Sequence, residues 1–313
     1  MAFKIKSLIK AKADAPPEEP TLWEPGSGDA VAGGEKEKTY LYNIPVHPKA
    51  LPGPGVIWVI HSPEGGDGST TVATNLAAVL AKDRPGKVVL IDLDGFGAVR
   101  SRMGLPTSQC LVNILDWQEV QEVGQMQRAM VQHSSGVQVI PGVLHHDHLQ
   151  FVTPSFVLRI LSILKERYEH IILDCSPVGQ QNNTWAACLV ADVILTVIKP
   201  DRTSLDLVKD NLSFLSRLGA DDRFSLILNQ AGLPGGIRTA DLSNPGRSGL
   251  VIHHALPYSI HVQEANNKRE LIALSRPKDE FADELRSLIK KLTSTEISLI
   301  KRLKPGGEEG IGY

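Results

Sequence analysis

A chain of 313 residues, 42% of them apolar and 22% charged, is long enough for one or two domains with a sizeable core. Its 33 Lys+Arg against 35 Asp+Glu leave a net charge of -2, which argues against a protein that coats nucleic acid with its whole surface. No stretch approaches the ~18 uninterrupted apolar residues of a membrane span. The start MAFKIKSLIKAKADAPPEEP lacks the apolar core of a secretion signal, and Cys110, Cys175 and Cys188 show no CxxC spacing, so a reducing cytosol is expected.

Residues 1–12 form a basic amphipathic segment, with Lys4, Lys6, Lys10 and Lys12 among Phe3, Ile5, Leu8 and Ile9 and no acid. Residues 13–54 read as a disordered linker. Eight of the chain's 20 prolines fall there (Pro16, Pro17, Pro20, Pro25, Pro45, Pro48, Pro52 and Pro54), and such a stretch buries too little apolar surface to offset its ordering entropy. Within it, Tyr40–Ile44 is a candidate edge strand or contact peptide. From Gly55 the pattern changes. Gly55–His61 is an apolar strand, followed by a Gly-rich turn and a helix over Thr70–Ala81. Strands are predicted at Val88–Asp92, Val137–Ile140, Ile171–Asp174, Val193–Ile198 and Phe224–Asn229, with helices at Pro154–His170 and Ser204–Leu218. Leu285–Leu292 has the spacing of a last core helix. Continuous apolar strands alternating with helices predict an α/β, doubly wound, mostly parallel sheet over residues 55–292, with ligands outside the carboxyl ends of its strands.

The first strand runs into Ser62-Pro63-Glu64-Gly65-Gly66-Asp67-Gly68-Ser69-Thr70-Thr71 and then the helix. A glycine turn feeding a helix N-terminus is the geometry by which backbone N–H groups cradle phosphates. The order and spacing of this loop and five further segments resemble the MinD/ParA superfamily of deviant Walker ATPases, whose loop reads approximately GKGGxGKT. Val88–Asp94 is similar to the strand ending in the family's switch I aspartates. Ile171–Pro177 is similar to the Walker B strand, Ala191–Asp201 to the strand that follows, and Leu226–Gln230 to the strand whose asparagine contacts adenine. His254-Ala255-Leu256, continuing as Pro257-Tyr258, stands where the family's "x-Pro-x-Asp" strand end begins. The resemblance implies a P-loop NTPase fold and an ATP or ADP site made by Glu64, Gly65, Gly66, Asp67, Gly68, Ser69, Thr70, Thr71 and Asn229. It also implies catalytic roles for Asp94 and Asp174, and Mg²⁺ held through Thr70, Asp94 and Asp174, with Asp92 beside them.

The departures are as informative. Pro63 stands at the first glycine, Glu64 at the signature lysine, and Ser69 at the P-loop lysine, while Asp67 adds an acid. Unit charges ~4 Å apart at an effective dielectric of ~20 interact by about 4 kcal/mol. Losing two attractions and gaining repulsion therefore weakens triphosphate binding and removes the charge stabilisation on which phosphoryl transfer rests. Arg84, Lys82, Arg100 and Arg102 lie near in sequence, but none has a position that dictates contact.

Other candidates carry less. His145, His146 and His148 lie in a loop with no visible partner cluster, and Cys175 has no flanking cation to activate it. Residues 293–313 form a tail in which Ile297–Lys304 is similar to the basic amphipathic end by which MinD-type proteins sit on membranes, so residues 296–304 and 1–12 are expected peripheral membrane contacts. The resemblance further implies a face-to-face homodimer, here nucleotide-independent or with Glu64 set against a basic partner group. The reading that follows is a degenerate, non-hydrolysing member that positions or helps assemble a cell-envelope machine, with protein partners rather than nucleic acid. The degenerate loop resembles most the TadZ/CpaE pilus-assembly branch. The rivals are an active ATPase with a non-standard cation and a DNA-segregation factor.

Overall fold

The structure, a computed structural model, describes residues 40–41, 44–45, 51–95, 97–115, 122–177 and 182–303. The 1–12 segment, most of the 13–54 linker and the end of the tail lie outside them. In chain order the strands are β1 (Tyr40–Leu41), β2 (Ile44–Pro45), β3 (Val56–His61), β4 (Val88–Asp92), β5 (Val131–Gln132), β6 (Gln138–Ile140), β7 (His170–Asp174), β8 (Val193–Ile198), β9 (Phe224–Ala231) and β10 (His254–Pro257). The helices are α1 (Ser69–Lys82), α2 (Ala98–Met103), α3 (Val123–Met126), α4 (Pro154–Leu164), α5 (Asn182–Val190), α6 (Arg202–Arg217), α7 (Thr239–Leu242), α8 (Pro245–Ser248), α9 (Ile260–Asn267), α10 (Ile272–Ser275) and α11 (Glu280–Leu303).

An eight-stranded sheet runs β10-β9-β8-β3-β7-β4-β6-β5, and every pair is parallel except the edge pair β5/β6. The expected doubly wound α/β sheet is therefore present. Its strands are continuously apolar because successive residues serve opposite cores. Ile57 and Val59 of β3 join the cluster under α4 and α5, together with Val89, Ile91, Ile171 and Leu173. Trp58 and Ile60 face the other way, with Val88, Leu90 and Ile172, against α1 and the Phe281, Leu285 and Leu288 stripe of α11. That stripe is the predicted last core helix. The chain then continues as helix to Leu303, so the backbone of the expected tail begins as an extension of α11.

Three details depart from the sequence reading. Tyr40–Leu41 pairs antiparallel with Ile44–Pro45 in a separate two-stranded sheet, not at the edge of the main one. The fourth helix stops at Leu164, and the chain turns before His170 opens β7. Packing on the core also begins before Gly55, since Leu51 lies against it, and the Gly55 N–H donates to the Lys165 carbonyl at 3.0 Å.

Lys165 also supplies a buried charge. Its side chain is only 5% exposed, and its Nζ lies 2.9 Å from Asp192 Oδ2, which accepts the Ile57 N–H at 2.8 Å as well. One carboxylate thus ties the end of α4 to the central strand. Breaking a fully buried pair costs about 3–5 kcal/mol. Asp192 is partly exposed, so Asp192→Ala is expected to cost about 2 kcal/mol in urea unfolding. A change under about 0.5 kcal/mol would mean that water reaches Lys165.

Candidate functional site

β3 lies between β7 and β8 at the centre of the sheet, and its carboxyl end at His61 feeds the glycine loop. The loop folds on itself as the Ser62 hydroxyl donates to the Glu64 carbonyl at 2.6 Å. Gly66 and Gly68 both have φ of +97°, a conformation that side-chain-bearing residues rarely adopt, and Gly68 precedes the first turn of α1. A Cβ on Gly68 would collide with the amide of Asn229. That amide, from β9, donates to the Asp67 carbonyl at 2.8 Å. The structure thus gathers Glu64, Gly65, Gly66, Asp67, Gly68, Ser69, Thr70, Thr71 and Asn229 around one turn, as the sequence predicts, and shows Asn229 bracing the loop.

The sequence reading did not anticipate what neutralises the loop acids. Lys199, the residue after β8, places its Nζ 3.1 Å from Glu64 Oε1, 3.6 Å from Asp67 Oδ1 and 3.1 Å from Asp201 Oδ2. Desolvation works against its charge, but Asp201 and Glu64, with the Asp67 charge behind them, outweigh it and hold the ammonium above the ordinary lysine range. Asp67 is fully buried, and its Oδ2 accepts from the Ser204 hydroxyl at 2.8 Å. Burial pushes its pKa from 3.8 up to about 7, with Ser204 and Lys199 opposing. Asp201 caps α6, its Oδ1 accepting the Ser204 N–H at 2.9 Å. The signal was present in the segment Lys199-Pro200-Asp201, where a cation directly follows an apolar strand.

The aspartates converge beside this loop. Asp92 of β4 and Asp174 of β7 are partners in register and fully buried. Asp92 accepts N–H bonds from Asp94 at 3.1 Å and Val99 at 3.3 Å. Burial first, then the Asp94 charge, raise its pKa to about 7 against those bonds. Both carboxylate oxygens of Asp174 are buried without a well-formed hydrogen bond, and burial and the Asp92 charge drive its pKa well above the usual carboxylate range against the nearby Thr70 hydroxyl and Arg102 charge. Asp94 is half-buried and accepts from the Ser176 hydroxyl at 2.6 Å, linking the ends of β4 and β7. Two orphaned oxygens facing a helix N-terminal hydroxyl suit a divalent cation that keeps water and phosphate oxygens in its shell. Thr70, Asp94 and Asp174 are the residues that would hold Mg²⁺. Among the described residues no three His, Cys, Asp or Glu side chains are grouped to hold a metal by themselves. His145 and His146 are exposed, in keeping with a solvated loop. Cys175 is buried and its thiol is pushed well up by that burial, in keeping with an inert role.

A cleft of about 260 Å³ opens over the loop, lined by Gly66, Gly68, Thr71, Arg102, Asn229 and Tyr258 among others. It is small beside the roughly 300–1,000 Å³ of most small-molecule sites.

Asp67 gives the site a pH signature. Its folded pKa lies above the ordinary 3.8, so the folded chain keeps a proton that the unfolded chain has released, and stability falls as pH rises from there to about 7. Asp67→Asn removes this loss. Its stability relative to the parent should rise by about 2 kcal/mol between about pH 5 and about pH 8, at about 1.4 kcal/mol per pKa unit. Urea unfolding at both pH values measures it, and a constant difference would mean that Asp67 stays ionised in the fold.

Comparison with known proteins agrees with this geometry. Residues 55–226 match the family model described as an AAA domain, AAA_31. The chain is 28% identical over 163 residues to an ATP-binding protein of Methanocaldococcus jannaschii, covering 52% of this chain and 60% of that one. It is 27% identical over 180 residues to the septum site-determining protein MinD of Thermotoga maritima, covering 56% and 64%. The chain thus spans less than two thirds of the length of either relative. The structure of MinD from Pyrococcus horikoshii, complexed with Mg-ADP, superposes with a TM-score of 0.65 at 19% identity, covering 77% of this chain and 97% of that one.

Proposed function

The chain belongs to the AAA_31 family within the MinD/ParA superfamily of P-loop ATPases, and from that premise we propose that it binds nucleotide weakly, hydrolyses it at no useful rate, and works as a positioning protein. One observation carries this reading. The lysine that reaches the glycine loop, Lys199, directly follows β8 and is held by three carboxylates, two of them the loop's own. It cancels loop acids instead of meeting phosphate. With Ser69 at the P-loop lysine position, developing phosphoryl charge meets a loop whose cation is already paired.

When bound, Mg²⁺ would supply charge neutralisation for phosphate oxygens. The chain's own part is to hold the ligand: backbone N–H groups at the start of α1, Thr70 and Asp174 towards the cation, and Asn229 and Tyr258 along the cleft. A MinD structure with Mg-ADP supports this placement by analogy of fold.

The spatial role extends the reading. The protein forms a homodimer and places or helps assemble a cell-envelope machine such as a pilus or secretion system, touching the inner face of the membrane through residues 1–12 and 296–304. A second reading, an active ATPase with a non-standard cation, is favoured by Arg102 in the cleft.

Calorimetric titration with Mg-ATP and a phosphate-release assay test the proposal. The expected result is binding weaker than micromolar and no turnover above buffer. Ser69→Lys should tighten Mg-ATP at least about tenfold, well within the about 4 kcal/mol of one added charge pair. Micromolar binding with steady turnover by the parent protein would overturn it. Sedimentation with vesicles of anionic phospholipid tests the membrane contact. Deleting residues 296–313 should reduce the bound fraction severalfold, and an unchanged fraction would remove that segment from the role.

A further inference from the structure

We propose that Arg102 is the phosphate-binding cation of the cleft, serving from α2 the diphosphate or triphosphate of a nucleoside that the glycine loop has no free lysine to hold. The inference rests on the nucleotide-binding reading above and names the residue on which that binding depends.

Among the described residues, Lys199 meets the loop and Arg102 lines the cleft above it. Lys199 is committed: to meet a phosphate it must leave Glu64, Asp67 and Asp201, and expose Asp67, whose side chain is fully buried. Arg102 is the basic residue that lines the cleft itself, beside Gly66, Gly68 and Thr71. Its Nε is buried without a hydrogen-bond partner. The acid that favours its charge is Asp174, whose two oxygens are likewise buried and lack a well-formed hydrogen bond, with the Thr70 hydroxyl beside them. A guanidinium and a carboxylate that both keep hydrogen-bonding capacity, flanking a helix N-terminus, leave a place for a group carrying anionic oxygens and its cation. The planar guanidinium presents paired donors that match two phosphate oxygens at once.

The position of Arg102 is also fixed, which a phosphate ligand requires. At the start of α2 the Val99 N–H donates to Asp92 Oδ2 and the Gly97 N–H to the Asp94 carbonyl. At its end Gly104 has φ of +64° and donates its N–H to the Arg100 carbonyl. Arg100 bonds the carbonyls of Pro106, Gln109 and Gly142, which holds the far side of the helix to the neighbouring loops. Asp92, Asp94 and the cation are therefore carried on one segment, Asp92 to Arg102, while Asp174 meets it from β7.

The test compares the full-length parent with Arg102→Ala, Arg102→Gln and Arg102→Lys, titrating each with Mg-ATP, Mg-ADP and adenosine and recording its thermal melting. The expected result is a loss of at least tenfold in affinity for both nucleotides in the Ala and Gln variants, with adenosine unchanged and part of the loss recovered by Lys. Mg-ATP binding at the parent's affinity in the Gln variant would overturn the proposal and leave the nucleotide-binding reading intact. An equal fall for adenosine and nucleotides would also overturn it, assigning Arg102 a packing role beside Asp174. Failure of the parent to bind any of the three would remove both readings together.

Discussion

The arrangement at the carboxyl end of β3 depends on one ammonium. Glu64, Asp67 and Asp201 stand close enough together that, unpaired, they would repel one another and push Asp67 out of its buried position. Lys199 meets all three. Charges ~4 Å apart at an effective dielectric of ~20 interact by about 4 kcal/mol, so this cation offsets much of the repulsion within an acidic glycine loop. Its attachment point matters as much as its charge. Because Lys199 follows β8 directly and Ser204 of α6 reaches the same Asp67, the loop after β3 is held by the strand beside it and the helix that follows.

The neighbouring cluster follows the opposite logic. Asp92 and Asp174 are brought together by strand register, and the oxygens of Asp174 are buried with the Thr70 hydroxyl beside them and no well-formed hydrogen bond. A fold that tolerates this beside a helix N-terminus carries a standing demand for positive charge there. Loop and aspartates therefore differ in kind. One set of acids is neutralised from within the chain, and the other is left for a cation from outside or for the guanidinium of Arg102.

Much of this was legible in sequence because strands covered on both faces must be continuously apolar, and the strand ends then mark themselves by their first polar residues. Asp92 and Asp174 end such strands, the resemblance to the MinD/ParA superfamily singled out Asp94 and Asn229 beside them, and the structure brings all four to one end of the sheet. The contacts of Lys199 and Arg102 were not legible. A long flexible side chain says nothing of its direction, and both contacts span large separations in sequence. The partner of Lys199 at Glu64 lies across two parallel strands, and the position of Arg102 depends on how α2 is pinned at both ends. The short hairpin of β1 and β2 was missed for a related reason. An apolar patch in a proline-rich stretch does not say whether it pairs with the sheet or with itself.

Asn229 carries a consequence for base selectivity. One of its amide hydrogens is already donated to the Asp67 carbonyl, and its side chain sits where any side chain on Gly68 would have to go. On the proposed nucleotide-binding reading, a purine edge in the cleft would meet one remaining N–H donor and one carbonyl acceptor, with no second hydrogen to spare. Taking both hydrogens would mean releasing the loop's main chain. If the proposed reading holds, base contact and posture of the phosphate loop would be drawn from the same amide, and a ligand that claimed both hydrogens would loosen the turn that holds its phosphates.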